Sequence, residues 1–236
     1  MSQSLLRVEE LDAFYGQLQA LRRVSLAVDA GQALAVIGAN GAGKTTLFQT
    51  IFGLHRAARG AVLFDGERLT GLPAHQVVRR GIALVPEGRR IFPSLSVDEN
   101  LRVAEDRHVG GAARRWTRQR IYELFPDLAA AAHRGGMRIS GGQQQMLAIG
   151  RALLCEPRLI LFDEVSLGLS PAVVNALYQA LDTIRREGVT LVFVEQDVTR
   201  SIAFSDHLVC LHQGVVRLEG ASASRSLDEV RRAYFG

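Results

Sequence analysis

The fold of this chain is decided by the stretch Gly38-Ala39-Asn40-Gly41-Ala42-Gly43-Lys44-Thr45-Thr46, which fits the phosphate-loop pattern G-x-x-x-x-G-K-[ST]. The apolar run before it, Ala33 to Ile37, predicts a buried strand, and Thr45 to Phe52 predicts a helix. Between a strand and a helix, glycines let successive backbone N–H groups converge on an anion at the helix N-terminus. The stretch therefore predicts a nucleotide site.

Lys44 is the only lysine among the 28 lysines and arginines. A compact ammonium on a flexible stem fits between β- and γ-phosphate oxygens, where a planar guanidinium is too wide. We therefore expect Lys44 to neutralise the transferring phosphate of the nucleotide, and the hydroxyl of Thr45 to bind Mg²⁺.

Composition limits the classes of function. The 236 residues are 47% apolar and 22% charged, which is typical of a globular protein with one sizeable core. The net charge is +4, but the arginines are dispersed among carboxylates without a basic stripe, so nucleic-acid binding is not expected. Apolar runs reach about six residues, far short of the ~20 that span a bilayer, and no export leader opens the sequence. The two cysteines, Cys155 and Cys210, are expected to be buried thiols.

Strand and helix patterns alternate along most of the chain, which predicts a parallel sheet covered by helices. Between about Glu87 and Leu154 strand-like runs vanish, and helices are predicted over 97–105, 112–125 and 143–154. We therefore expect a single domain, 1–236, with a core over about 1–86 and 155–236 and a helical subdomain over about 87–154.

Two further motifs carry chemistry. Leu159 to Phe162 predicts a buried strand that delivers Asp163 and Glu164 at its C-terminal end, where α/β sheets bind ligands. Asp163 fits a partner of Mg²⁺, and Glu164 fits the base that polarises an attacking water. The second motif is Ser140-Gly141-Gly142-Gln143, in which Ser140 can cap the following helix and leave backbone N–H groups open. Either motif alone has an ordinary structural explanation; together with the phosphate loop they indicate a site that binds a nucleotide and acts on its phosphates.

In this order and spacing the three motifs resemble the ATP-binding subunits of ABC transporters, whose signature segment is LSGGQ, and the resemblance covers essentially the whole chain. It implies an α/β fold: a P-loop NTPase (RecA-like) core with an N-terminal antiparallel β subdomain and an inserted α-helical subdomain. It also implies a head-to-tail pair of ATPase subunits, homo- or heteromeric, in which Ser140 to Gln143 act on the partner's ATP. The pair would be peripheral to the membrane, on the cytoplasmic face of the cell (inner) membrane. It would bind two integral membrane permease subunits, which in turn receive substrate from a periplasmic or extracytoplasmic binding protein.

Three more residues take roles from the resemblance by position. Tyr15 matches the aromatic residue that stacks on adenine. Glu87 falls where many relatives have a Gln that touches Mg²⁺ and senses the transmembrane partner, and Gln196 falls where many have a His that contacts the γ-phosphate.

Several segments are similar to the smaller ATPase of branched-chain amino acid importers, namely Val85 to Phe92, Glu99 to Leu101, Gln144 to Leu153, Ser166 to Leu169, Val194 to Gln196 and Tyr234 to Gly236. The resemblance implies ATP hydrolysis that energises uptake of Leu, Ile or Val. Importers of urea, amides or other amino acids, a soluble ABC ATPase without a permease, and a non-hydrolysing scaffold subunit remain alternatives.

The chain departs from this pattern at three places. Val165 stands where the family usually has Pro after Asp-Glu, and we expect a looser turn that aims Glu164 less well. Gln143 replaces the Glu of the subfamily, and the segment 133–138 is a residue or more short. Slow hydrolysis, or dependence on a more regular partner ATPase, is the expected consequence.

Overall fold

A computed structural model describes residues 4–106 and 114–235. The described residues form ten strands: β1 (Leu6–Tyr15), β2 (Leu18–Val28), β3 (Ala33–Ile37), β4 (Ala57–Phe64), β5 (Glu67–Arg68), β6 (Ile82–Val85), β7 (Leu159–Asp163), β8 (Thr190–Val194), β9 (His207–His212) and β10 (Val215–Ala221). They form nine α-helices: α1 (Lys44–Ile51), α2 (Ala74–Arg79), α3 (Val97–Glu105), α4 (Arg118–Leu124), α5 (Pro126–Ala129), α6 (Gly141–Leu153), α7 (Pro171–Arg186), α8 (Val198–Phe204) and α9 (Leu227–Phe235).

Two sheets organise the described part of the chain. The larger has the order β10-β9-β3-β8-β7-β6, and its strands are parallel except for the antiparallel hairpin of β9 and β10. The smaller, β2-β1-β4-β5, is antiparallel. The predicted α/β fold class, with an N-terminal antiparallel β subdomain, is confirmed. Because β8 lies between β3 and β7, the carboxyl ends of these three strands are neighbours at one edge of the sheet.

The core occupies both faces of the larger sheet. Every residue of β3, β7 and β8 is buried, as expected for a parallel sheet covered on two sides. Along β3, Ala33, Ala35 and Ile37 belong to the hydrophobic cluster on one face, which includes residues of α6 and α7. The intervening Leu34 and Val36 belong to the cluster on the other face, which includes residues of α1, β1 and β2. The phosphate loop therefore begins at the end of a strand whose two faces are both packed against the core.

The helical segment after β6 begins with an irregular stretch, and α3 starts at a capping box formed by Ser96 and Glu99. The predicted helix over 112–125 is wrong at its start: α4 begins at Arg118, because Thr117 caps it there, and residues 112 and 113 lie outside the described residues. The predicted limits of the helical subdomain stay a prediction.

One buried amide holds the irregular stretch against α3. Asn100 is fully buried, and its Oδ1 accepts from the backbone N–H of Phe92 at 2.8 Å. Its Nδ2 donates to the carbonyl oxygens of Phe92, Leu95 and Ser96 at 2.9 to 3.2 Å.

Replacing Asn100 with Ala should lower the free energy of unfolding by about 2–3 kcal/mol, because backbone groups of residues 92–96 lose their partner in a buried site. Urea denaturation measures the loss. Arg102→Ala is the matched control on the same helix, where an exposed ion pair to Asp98 contributes less than about 1 kcal/mol. Equal losses in the two variants would contradict the role of Asn100.

Candidate functional site

The phosphate loop lies between β3 and α1 and is held close to neighbouring backbone. Gly38 has a φ of 154°, and a Cβ there would lie 2.3 Å from the carbonyl oxygen of Leu211. Gly43 has a φ of 104°, and a Cβ there would lie 2.8 Å from the carbonyl oxygen of Ala20. No side chain caps α1, so the N–H groups of its first turn remain open to an anion. The loop thus has the geometry of a phosphate cradle.

Lys44 is 5% exposed and folds back over the loop. Its Nζ donates to the carbonyl oxygens of Gly38 at 2.8 Å and of Ala39 at 3.0 Å. Burial lowers the pKa of its ammonium, whereas the nearby carboxylates of Glu164 and Asp163 act in the opposite direction. The side chain is therefore positioned over the loop by two backbone contacts that it can exchange for phosphate oxygens.

A hydroxyl and a group of carboxylates form a candidate Mg²⁺ site. Thr45 Oγ1 donates to Oδ1 of the buried Asp163 at 3.3 Å. Burial raises the pKa of Asp163 to about 6; the bond from Thr45 opposes this rise, and the carboxylates of Glu164 and Glu87 add to it. A site with buried negative charge and only a few protein oxygens fits Mg²⁺, which prefers one or two carboxylates together with water and phosphate oxygens.

The two candidate catalytic side chains are in contact. Gln196, which follows β8, donates from Nε2 to Oε2 of Glu164 at 2.9 Å. Glu164, which follows β7, has a φ of 52°, in the left-handed region that a non-glycine residue rarely adopts. Backbone strain of this kind costs about 1–3 kcal/mol and is concentrated at functional sites. The structure thus brings together Lys44, Thr45, Asp163, Glu164 and Gln196 from three adjacent strand ends.

Tyr15 is half exposed at the end of β1. Its hydroxyl donates to Oε1 of Gln49 at 3.3 Å, and its ring lies on that of His55, with centroids 4.4 Å apart. The sequence did not indicate either contact. Since His55 covers one side of the ring, Tyr15 has the other side available for a planar base.

The Ser140–Gln143 segment begins α6. Ser140 Oγ accepts from the backbone N–H of Gln143, and the Gln143 side chain accepts from the backbone N–H of Ser140, which confirms the predicted cap. Gly142 lies so close to Val173 that a Cβ there would be 2.6 Å from it. The short segment before this helix packs tightly as well, because a Cβ on Gly136 would lie 2.9 Å from the carbonyl oxygen of Phe92.

Sequence reasoning missed the contact between the segment that carries Glu87 and the helix α6. Arg89, with a φ of 61°, donates to the side chain of Gln144 at 2.8 Å. The same guanidinium lies beside Gly141, where an added Cβ would be 3.0 Å from it. The sequence shows Arg89 only as one of a pair of arginines, so its position in the fold was needed to find this link.

A phosphate loop after β3, two acids at the end of β7 and a polar residue after β8 define a P-loop NTPase site. The ABC transporter family model matches residues 21–166. The chain is 40% identical over 239 residues to the high-affinity branched-chain amino acid transport ATP-binding protein BraG of Pseudomonas aeruginosa, covering 98% of this chain and all of that protein. The chain therefore belongs to the ABC transporter ATP-binding family, and its domain is an ATP-binding ATPase domain.

Solved structures agree with this assignment. An ATP-binding subunit of an ABC transporter is 29% identical with a TM-score of 0.85, and the match covers 99% of this chain and 100% of that one. A dimeric ATP-binding cassette bound to ADP and Pi in a post-hydrolysis state is 25% identical with a TM-score of 0.81, and the match covers 94% and 100%. Among the described residues of this chain, none of the helices has the length and apolar character needed to cross a membrane.

Val165, the residue after Glu164, can be substituted to test the site. Val165 is buried, and proline at this position would disfavour the left-handed conformation of Glu164 in favour of an extended one. We expect Val165→Pro to leave the Kd for ATP within about twofold, because the phosphate loop is untouched, and to change kcat several-fold, because the preferred conformation of Glu164 changes. Titration with ATP and steady-state phosphate release measure the two quantities.

Val165→Ala is the matched control, since it removes side-chain contacts without restricting the backbone. Unchanged kcat in Val165→Pro would show that the valine does not slow the reaction.

Proposed function

We propose that this chain is the ATP-hydrolysing subunit of an ABC importer for branched-chain amino acids, located on the cytoplasmic face of the cell membrane. The contact of Glu164 with Gln196, beside the phosphate loop, carries the catalytic part of the proposal. The 40% identity to BraG along essentially the whole chain supports the transport part.

In the proposed site, the backbone of residues 38–46 and the ammonium of Lys44 bind the β- and γ-phosphates. Thr45, Asp163 and Glu87 hold Mg²⁺, which supplies charge neutralisation to the phosphates when bound. Tyr15 stacks on adenine. Glu164 orients the attacking water and accepts its proton, and Gln196 contacts the γ-phosphate as a neutral donor.

We infer that the hydrogen bond between Gln196 and Glu164 is exchanged during the reaction. In the structure the Gln196 amide donates to one oxygen of the Glu164 carboxylate. When the amide turns to the γ-phosphate, that oxygen becomes available to water. ATP binding would thus prepare the base by removing its hydrogen-bond donor.

A second subunit completes the site in this proposal. The N–H groups at the start of α6, next to Ser140, form a positive helix end suited to the γ-phosphate of the partner's ATP. The similar dimeric cassette supports pairing of two such chains. Closure of the pair would transmit force to two permease subunits.

Glu164→Gln should lower kcat by about 10²-fold or more, because the amide cannot accept the proton of water, while ATP binding stays intact. We also expect ATP to trap a stable dimer, which size-exclusion chromatography with light scattering would detect. Asp182→Asn is a control that neutralises an exposed carboxylate on α7. A Glu164→Gln protein that hydrolyses ATP at the wild-type rate would exclude Glu164 as the base.

Transport is tested by the native complex. Tagged chain should purify from membranes with two integral membrane proteins, and the complex in vesicles should accumulate labelled leucine, isoleucine or valine only with ATP and with Glu164 intact. Uptake of urea, an amide or another amino acid instead would correct the substrate class. Purification without membrane proteins would favour a soluble ABC ATPase.

A further inference from the structure

A buried polar bridge joins the loop after β7 to the end of β8. Glu195 directly follows β8 and is 3% exposed. Its Oε2 accepts a hydrogen bond of 2.7 Å from the hydroxyl of Ser166. Ser166 lies two residues after Glu164, and Glu195 lies one residue before Gln196, so the bridge connects the segments that carry both candidate catalytic side chains.

Burying the carboxylate of Glu195 costs desolvation free energy. Burial raises its pKa, and the bond from Ser166 opposes this rise. Its other oxygen and the hydroxyl of Tyr178, on α7, are both buried, and the interaction with this hydroxyl also opposes the rise in the pKa of Glu195. An apolar side chain would avoid this desolvation cost, so the stability of the core does not account for an acid at this position.

The bridge adds to a backbone hydrogen bond between the loop and β8. The backbone N–H of Glu164 donates to the carbonyl oxygen of Val194 at 3.2 Å, and the Ser166–Glu195 bond follows two residues later. Between these hydrogen bonds the loop carries Glu164 in its strained left-handed conformation, 2.9 Å from Gln196. A strained residue keeps its conformation only when its surroundings hold it there.

We propose that Glu195 is a positioning residue for ATP hydrolysis: through Ser166 it holds the backbone of residues 164–166 so that Glu164 and Gln196 meet at the γ-phosphate. The inference rests on the proposed function, because it assigns a purpose to Glu195 in that same reaction. Glu195 touches neither the phosphate loop nor the nucleotide site directly in this scheme, so it should affect kcat and leave ATP binding unchanged.

The test uses the full chain, with MgATP hydrolysis and ATP binding measured on each variant. Ser166→Ala removes one hydroxyl from a half-buried position and should lower kcat by about tenfold or more, since small displacements of catalytic groups have effects of this size. The Kd for ATP should stay within about twofold of wild type. Glu195→Ala should behave in the same way, and Glu195→Gln, which keeps an oxygen acceptor for Ser166, should recover most of kcat.

Two comparisons separate positioning from a general structural role. Thr190→Val removes a buried hydroxyl from the opposite end of β8, where it accepts from the backbone N–H of Gly31, and should keep kcat within about twofold because the Ser166–Glu195 bond is untouched. The double variant Ser166→Ala/Glu195→Ala should be no slower than the slower single variant, since both remove one interaction.

Wild-type hydrolysis that depends on Glu164, combined with unchanged kcat in Ser166→Ala, would overturn the inference and leave the proposed function standing. A double variant whose loss of kcat equals the product of the two single losses would also overturn it. So would a Kd for ATP that rises as much as kcat falls. Absence of Glu164-dependent hydrolysis in the wild type would overturn the proposed function and this inference together.

Discussion

The structure depends on a close approach of backbones that only glycine allows. The phosphate loop passes beside the end of β9 at Gly38 and beside β2 at Gly43, where any side chain would collide with a carbonyl oxygen. These contacts anchor the loop to both sheets, so its N–H groups point in fixed directions before a ligand arrives. Preorganised donors of this kind need no reorientation when an anion binds.

Strand order then determines how the remaining groups meet. Because β8 lies between β3 and β7, the residue after β8 stands between the phosphate loop and the acids of β7. Gln196 reaches Glu164 from this position, and its proposed contact with the γ-phosphate would lie on the side of the phosphate loop. Ser166 and Glu195 make a second link across the same two strand ends. Residues far apart in sequence thus act within one small region.

Much of the fold was predictable where the signal is local. The predicted ends of β3 and α3 are confirmed, because an apolar run marks the strand in the sequence and a polar cap marks the start of the helix. The lengths of β1 and β2 were not predicted: apolar residues indicate strands only over Leu5 to Val8 and Val24 to Val28, but β1 continues through polar residues to Tyr15 and β2 starts at Leu18, since their pairing is set by a neighbouring strand. The C-terminal helix α9 was missed although Ser226 and Glu229 form a capping pair.

The candidate site was likewise predictable only where its residues form a continuous motif. The phosphate loop and the acids after β7 are continuous motifs and could be identified directly. The left-handed conformation of Glu164, its bond from Gln196 and the burial of Glu195 arise from tertiary packing that no spacing in the sequence encodes. Cys210 is buried as expected, whereas Cys155 is only partly buried because it follows the end of α6.

The folded-back Lys44 gives the protein an unusual chemical property. It is the only side-chain amine in the sequence, and two carbonyl oxygens and 95% burial shield it. Every other positive side chain is a guanidinium or an imidazole, which amine-selective reagents leave untouched. Acylating reagents would therefore modify the surface of this protein hardly at all, and any side-chain amide that they form would report that the phosphate loop had opened.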